Sequence, residues 1–186
     1  YVEDRMVLSP SLADPLKKQE IRQLIITCAL CNEIKFNGTA GNGDDEIFGS
    51  PTEKALVRLA MHSGVDLQDL QKQFRFLKIR HRAENRLFMS TLHALRTDDS
   101  KLFSIKGSPP DVLAMCDRKM VNGKVIPLTE ADREEIEIQN EKMAGDALRV
   151  LGFAFSHLKK DEKLDVETDA AGLLVASLVA VALARL

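Results

Sequence analysis

Residues 49–56 read GSPTEKAL, and this stretch marks where a helix begins and which of its faces is buried. Ser50 suits the N-cap, Pro51 suits the first helical position, and Glu53 stands where a capping box needs an acid. Beyond the cap, apolar residues recur at helical spacing, namely Ala55, Leu56, Leu59 and Ala60. The stretch therefore predicts an amphipathic helix that packs against a core and ends near Gly64.

The segments around this helix alternate between helical and strand-like patterns. Helical patterns cover residues 16–28, 66–74, 109–116 and 129–144. Strand patterns cover residues 76–80, 86–93, 101–105, 149–157 and the last apolar run, and Asn122-Gly123 predicts a hairpin within residues 120–126. We expect residues 1–186 to form a single mixed α/β domain of the α+β type, with an antiparallel twisted sheet flanked by helices.

Composition excludes some classes of protein. The chain has 186 residues, 45% of them hydrophobic, which suits one globular domain with its own core. Its 26 basic and 28 acidic residues give a net charge of −2, so we expect no nucleic-acid partner. The apolar run at residues 170–184 is 15 residues long, whereas a spanning helix needs roughly 20. A buried strand is the better interpretation, and we expect no direct membrane contact.

The three cysteines raise the question of a metal or redox site. Cys28 and Cys31 have Cys-x-x-Cys spacing, but no second cysteine pair or nearby histidine pair completes a zinc site. The segment has helical periodicity, so both thiols lie one turn apart on a helix. We expect Cys28, Cys31 and Cys116 to be buried and unreactive in a reducing compartment, and a zinc or redox protein remains the remote alternative.

Three motifs occur in an order that resembles one protein family. GSPTEKAL at residues 49–56 is followed by KGSP at 106–109 and GDALRVL at 145–151. Together they resemble the nucleotide-binding domain of P-type cation-transporting ATPases, on the calcium- and magnesium-pump side of the family. The resemblance implies a domain that binds ATP and presents its γ-phosphate to an aspartate in a separate phosphorylation domain.

The same resemblance implies a wider setting. The chain begins with Tyr1 and looks like a piece of a longer integral membrane protein, an ATP-driven cation translocase. It would lie on the cytoplasmic face of the membrane, with the phosphorylation and actuator domains of the parent chain as partners. Mg²⁺ would act with ATP in the full-length pump. The transported ion cannot be read from this domain, because ion sites lie in membrane helices.

Matching positions in the motifs supply the first three candidate residues. Lys106 follows a predicted strand and offers a point charge for phosphate, and the resemblance places it deep in the ATP pocket. Gly107 would let a ligand approach the backbone closely. Glu53 matches the glutamate that accepts a hydrogen bond from the adenine amino group, although a capping box alone would also explain it.

Arg149 and the segment at residues 81–82 complete the set of candidates. Arg149 lies between apolar residues, would need an anionic partner if buried, and matches the arginine near the nucleotide phosphates. The family's adenine-stacking phenylalanine falls on Arg82 here, whose guanidinium plane can stack on a base beside His81. Phe76 and Phe88 are the aromatic alternatives, unless strand alternation turns them into the core.

Missing motifs limit the chemistry of this chain. It contains neither the Asp-Lys-Thr-Gly-Thr segment that carries the family's phosphorylated aspartate nor its Thr-Gly-Asp-Gly metal-binding segment. We therefore expect no catalytic residue and no metal ligand, and binding of ATP without hydrolysis. The alternative is an interaction or regulatory module of the same fold that does not bind nucleotide, because both the stacking position and Pro110, after the second motif, depart from the family pattern.

Overall fold

Helices and strands account for most of the part of the chain that the computed structural model describes, which is residues 15–36, 47–145, 149–162 and 173–181. Within these residues a short 3-10 helix at Pro15–Lys17 precedes the helices α1 (Gln19–Leu30), α2 (Pro51–His62), α3 (Leu67–Gln73), α4 (Pro109–Ala114) and α5 (Glu130–Gly145). The strands are β1 (Lys35–Phe36), β2 (Ile47–Phe48), β3 (Phe74–Arg80), β4 (Phe88–Leu95), β5 (Lys101–Gly107), β6 (Cys116–Val121), β7 (Lys124–Pro127), β8 (Arg149–Leu158) and β9 (Leu173–Val181).

One large sheet organises the domain. It has seven strands in the order β3-β4-β5-β8-β9-β6-β7, and β1 and β2 form a separate two-stranded ribbon. Neighbouring strands are antiparallel except β6 and β9, which run parallel. The predicted α/β fold with an antiparallel sheet flanked by helices is confirmed, with this one parallel pair added. The last apolar run is a strand, as predicted, and pairs with neighbours on both sides.

Local chemistry explains where the helices begin. The Ser50 hydroxyl accepts a hydrogen bond from the Glu53 backbone N–H, as the capping box predicted, and Pro51 is the first residue of α2. A second box precedes α5, where Thr129 Oγ1 accepts from the Asp132 N–H and Asp132 accepts from the Thr129 N–H. None of the helices in the described ranges is long and apolar enough to cross a membrane.

The hairpin between β6 and β7 turns at the predicted Asn122-Gly123 pair. Their φ angles are 51° and 74°, the left-handed values that a two-residue type I′ turn needs. The Gly123 backbone N–H donates to a carboxylate oxygen of Glu20 at 2.7 Å. This bond connects the hairpin to α1, which is far from it in sequence.

The core has two layers, one on each face of the sheet. Helices α1 and α2 cover one face, where Cys28, Leu56 and Phe153 are fully buried. Helix α4 covers the other face, where Phe103 and Ile105 pack with it. Because neighbouring side chains of a strand point to opposite faces, the residue after Ile105 in β5 faces α1 and α2. That residue is the candidate Lys106.

Candidate functional site

A buried ion pair joins two of the candidate residues. Lys106 Nζ lies 3.1 Å from Glu53 Oε1, and the two side chains are 7% and 11% exposed. Glu53 comes from the first turn of α2 and Lys106 from the penultimate position of β5, so the pair links helix to sheet. The sequence pattern ended this strand before Lys106, whereas pairing with β4 and β8 extends it through Gly107.

Glu53 has further partners besides Lys106. Its Oε1 also accepts the backbone N–H of Glu33 at 3.1 Å, and its Oε2 lies 3.4 Å from the Ser50 hydroxyl. Burial pushes the pKa of Glu53 upward, but the charge of Lys106 and these hydrogen bonds outweigh burial and leave the pKa below its ordinary value. Glu53 is therefore a carboxylate at neutral pH, and it serves both the capping box and the ion pair.

Lys106 has unused hydrogen-bonding capacity. An ammonium carries three N–H donors, and among the described residues its only hydrogen-bond acceptor is Glu53. A nearly buried donor without an acceptor is unfavourable, so the remaining N–H groups favour an incoming acceptor atom. A phosphate oxygen or a ring nitrogen of a purine has this chemistry.

Gly107 has a packing reason to be glycine. A Cβ placed on it would lie 2.4 Å from Phe88 Cβ and 2.5 Å from the Leu87 carbonyl oxygen. The residue sits opposite Phe88 in the β4–β5 ladder, where the two strands approach closely. This contact accounts for the glycine without a ligand, and the proposed role of its backbone beside a nucleotide stays a prediction.

His81 and Arg82 lie on the turn between β3 and β4, and both are exposed. In the ladders, Arg80 is opposite Ser90, and Met89 is opposite Lys106. The end of β3 therefore lies two strands from Lys106, a separation of roughly 10 Å. His81 Nδ1 is 2.9 Å from Glu33 Oε1, so the turn is connected to the residue whose N–H binds Glu53.

Neither aromatic alternative for base stacking is placed well. Phe88 is buried among the residues on the α4 face of the sheet, opposite to Lys106. Phe76 is 55% exposed, but it is paired with His93, four residues along β4 from Met89. That offset places Phe76 roughly 13 Å farther along the strands. The turn with His81 and Arg82 is the closer candidate.

Arg149 is the first residue of β8, and it is exposed. Because Arg149 is exposed, the burial that would require an anionic partner does not occur, and its apolar neighbour Val150 points to the other face of the sheet. Phe153 lies opposite Lys106, so Arg149 shares the face of Lys106 at a distance of roughly 13 Å along the strand. It makes no ion pair with any residue that the structure describes.

The cysteines are buried, as predicted, and all three are free thiols. Burial raises the pKa of Cys28, raises that of Cys31 to about 11 and raises that of Cys116 to about 12. Within the described part of the chain, no group of three or more His, Cys, Asp or Glu side chains could hold a metal ion.

Sequence reasoning missed Glu33, which contacts Glu53 through its backbone and His81 through its carboxylate. Nothing in its local pattern distinguishes it from an ordinary polar residue after a helix. Sequence reasoning also missed a groove of about 610 Å³ beside Glu33 and His81. The groove is lined mainly by apolar side chains of α1, α3 and β3, and neither Glu53 nor Lys106 lines it.

Comparison with known proteins agrees with the motifs. The family model described as P-type ATPase, cytoplasmic domain N, matches residues 20–184. A calcium-transporting ATPase of Listeria monocytogenes is 30% identical over 152 residues, which are 80% of this chain and 16% of that protein. Calcium-transporting ATPase 1 of Lactococcus lactis is 29% identical over 173 residues, 92% of this chain and 19% of that protein.

A plant relative shows the same relation. Plasma membrane-type calcium-transporting ATPase 4 of Arabidopsis thaliana is 34% identical over 118 residues, 63% of this chain and 11% of its own length. The chain thus spans less than a fifth of each of these relatives. Because the family match covers most of the chain, including the segments with Glu53, Lys106 and Arg149, the chain belongs to the family of cytoplasmic N domains of P-type ATPases.

Proposed function

We propose that this domain binds ATP and presents the γ-phosphate to an aspartate in a separate phosphorylation domain of a P-type cation pump. The observation that carries the proposal is the buried Glu53–Lys106 pair, whose ammonium retains unused donors. A lysine buried beside a carboxylate is costly to keep unless it has a task or a close partner. Here the partner uses one donor and leaves the others for a ligand.

Each candidate residue has chemistry that suits one part of ATP. Glu53 Oε2 has acceptor capacity for the adenine amino group, and Lys106 has donors for a ring nitrogen or phosphate oxygen. The exposed Arg82, beside His81, offers a planar cation for stacking on the base. Arg149, exposed on the same sheet face, suits the phosphates. Gly107 would bring backbone close to the nucleotide.

The parent protein would supply the remaining chemistry. The relatives are named as calcium-transporting ATPases, which favours a cation pump on the calcium side of the family. The phosphorylation and actuator domains would be the partners, and Mg²⁺ would accompany ATP in the full pump at the cytoplasmic face of the membrane. Domain closure would bring the bound nucleotide to the aspartate, a hinge motion of the kind that gates many phosphoryl transfers.

A second candidate is an interaction or regulatory module that does not bind nucleotide. It is favoured by Arg82, which stands where the family has an aromatic residue, and by the ability of Glu53 to neutralise Lys106 without a ligand. The two candidates differ in one direct consequence. Only the ATP-binding domain should respond to nucleotide at the Glu53–Lys106 pair.

An amide chemical-shift titration with ATP, with and without Mg²⁺, tests the choice. The expected result is saturable shifts around Glu53, Lys106 and Arg149 that are weakened strongly by Lys106→Met. The matched control is Lys101→Met, which removes a partly exposed lysine of the same strand that hydrogen-bonds the backbones of Lys160 and Glu162. Absence of shifts at millimolar ATP in the unaltered, folded domain would refute ATP binding and leave the interaction module.

A further inference from the structure

We propose that Glu33 is a positioning residue of the nucleotide site, which holds the turn of residues 81–86 beside the base of the bound nucleotide. The inference rests on the proposed function, since it assigns a role within the ATP site. Glu33 makes two contacts with different parts of the site. Its backbone N–H donates to Glu53 Oε1 at 3.1 Å, and its own Oε1 lies 2.9 Å from His81 Nδ1.

The backbone at Glu33 is held firmly by the residue before it. The Asn32 side-chain amide donates to the carbonyl oxygens of Cys28 and Ala29 at 3.3 and 2.6 Å, at the end of α1. The Asn32 side-chain oxygen Oδ1 accepts the backbone N–H of Ile34 at 3.0 Å. Asn32 therefore clamps the chain on both sides of Glu33, and a residue fixed in this way can orient the groups that it contacts.

The same segment is anchored to the sheet beneath the ion pair. Cys31 is fully buried, and its Sγ lies 3.9 Å from the Met89 carbonyl oxygen and 3.7 Å from that of Ser104. These residues belong to β4 and β5, and Met89 is opposite Lys106. The end of α1 therefore lies against β4 and β5, and β5 carries Lys106 of the ion pair.

The turn that Glu33 contacts has its own internal bonds. The backbones of Ala83 and Arg86 exchange hydrogen bonds of 3.1 and 3.0 Å, and the Arg86 guanidinium donates to the His81 carbonyl oxygen. Arg86 also lies over the Phe88 ring, 5.2 Å from its centroid. These bonds connect the turn internally, so the contact between His81 and Glu33 sets where the whole turn lies relative to Lys106.

The second arginine of this turn, Arg82, is available to bind a ligand. Arg82 makes no hydrogen bond or ion pair with the residues that the structure describes, in contrast with Arg86. Fixing His81 fixes the residue that follows it. Glu33 thereby sets the position of Arg82 over the adenine. Its backbone N–H also orients the Glu53 carboxylate. Glu33 therefore connects the exposed turn of residues 81–86 to the buried Glu53–Lys106 pair.

Removing the Glu33 side chain separates positioning from simple charge. Glu33→Ala keeps the backbone N–H that binds Glu53 but releases the turn. The contact with His81 is about half exposed, so its loss should weaken ATP binding by at most about five-fold. Plain electrostatics predicts the opposite sign, because removing a negative charge near a polyphosphate strengthens binding. Inorganic tripolyphosphate, which has no base, should bind at least as well after the substitution as before it.

Further variants test this assignment. Glu84→Ala removes an exposed carboxylate from the same turn and should not weaken ATP binding. Glu33→Gln keeps an oxygen that can accept a hydrogen bond from the His81 ring and should restore most of the affinity. In a His81→Ala background, Glu33→Ala should have no additional effect, because the contact is already lost.

The measurements are titrations of each folded variant with ATP and with tripolyphosphate. ATP binding that Glu33→Ala leaves unchanged or strengthens would overturn the positioning role. So would an undiminished loss in the His81→Ala background, or an equal loss for tripolyphosphate. Absence of ATP binding by the unaltered domain would instead overturn the proposed function, and the two failures are therefore distinct.

Discussion

Replacing Lys106 with methionine tests the buried ion pair directly. The substitution keeps most of the apolar side-chain volume and removes only the ammonium. Glu53 is then left 11% exposed, with the Glu33 N–H and the Ser50 hydroxyl as its remaining partners. Breaking a buried pair from one side costs about 3–5 kcal/mol, because the other charge stays behind. The surviving hydrogen bonds place the expected loss at the lower end, about 3 kcal/mol.

The pH dependence of this loss has a definite sign. In the unaltered domain the pKa of Glu53 lies below its ordinary value of 4.5, so the stability that the charged form contributes is present above pH 4.5 and is lost as pH falls through the lower folded pKa. Without Lys106, burial prevails and raises the pKa of Glu53. The variant is then penalised most at neutral pH, and the penalty shrinks as the pH falls through the raised value.

Thermal unfolding of the two proteins between pH 7 and pH 4 measures the effect. For a domain of this size a loss of about 3 kcal/mol lowers the unfolding midpoint by roughly 6–12 °C. Lys106→Met combined with Glu53→Gln should recover stability at pH 7, because the double variant has no buried charge. A midpoint for Lys106→Met that equals the unaltered one, or a penalty that grows toward acid pH, would refute the reasoning. Lys101→Met is the control for loss of a partly exposed lysine in β5.

Packing around Gly107 and around the buried cysteines leads to two further predictions. Gly107→Ala should destabilise the domain by about 2–3 kcal/mol in chemical denaturation, since its Cβ would overlap Phe88, whereas Gly145→Ala, with no atom within 4 Å of the new Cβ, should not destabilise it. At pH 8 a thiol reagent should label Cys28 and Cys31 only as fast as the domain opens, because both are fully buried and the pKa of Cys31 is raised to about 11; rapid labelling of the folded domain would contradict their burial.

Elements with local signals were predictable from the sequence. The start of α2 follows from Ser50, Pro51 and Glu53, which all lie within one turn, and the hairpin follows from Asn122-Gly123. Strand ends were less predictable because pairing sets them. The predicted strand over residues 86–93 is β4 at Phe88–Leu95, since the chain before it closes into a turn of its own.

The sequence predicted which residues belong to the site, but not which of them contact one another. The motifs brought Glu53 and Lys106 to one site, but their direct contact joins residues 53 positions apart and depends on how α2 packs on β5. Arg149 shares a sheet face with the buried Phe153 but is the first residue of β8, so its exposure reflects its place at the strand end, which its apolar neighbours do not reveal. Glu33 was invisible because its role arises entirely from tertiary contacts with Glu53 and His81.

The ion pair links stability and binding in a way that the two sets of variants can separate. The Glu53 carboxylate accepts the Ser50 hydroxyl and the Glu33 N–H and neutralises Lys106, so ATP need not displace any of these bonds if it uses the free donors of the ammonium. Loss of Lys106 should therefore reduce both stability and affinity. Loss of the exposed Glu33 carboxylate should reduce affinity alone, because a half-exposed pair contributes little to folding. In such a site the Glu53–Lys106 pair belongs to the core, whereas the position of the turn at residues 81–86 depends on an exposed contact.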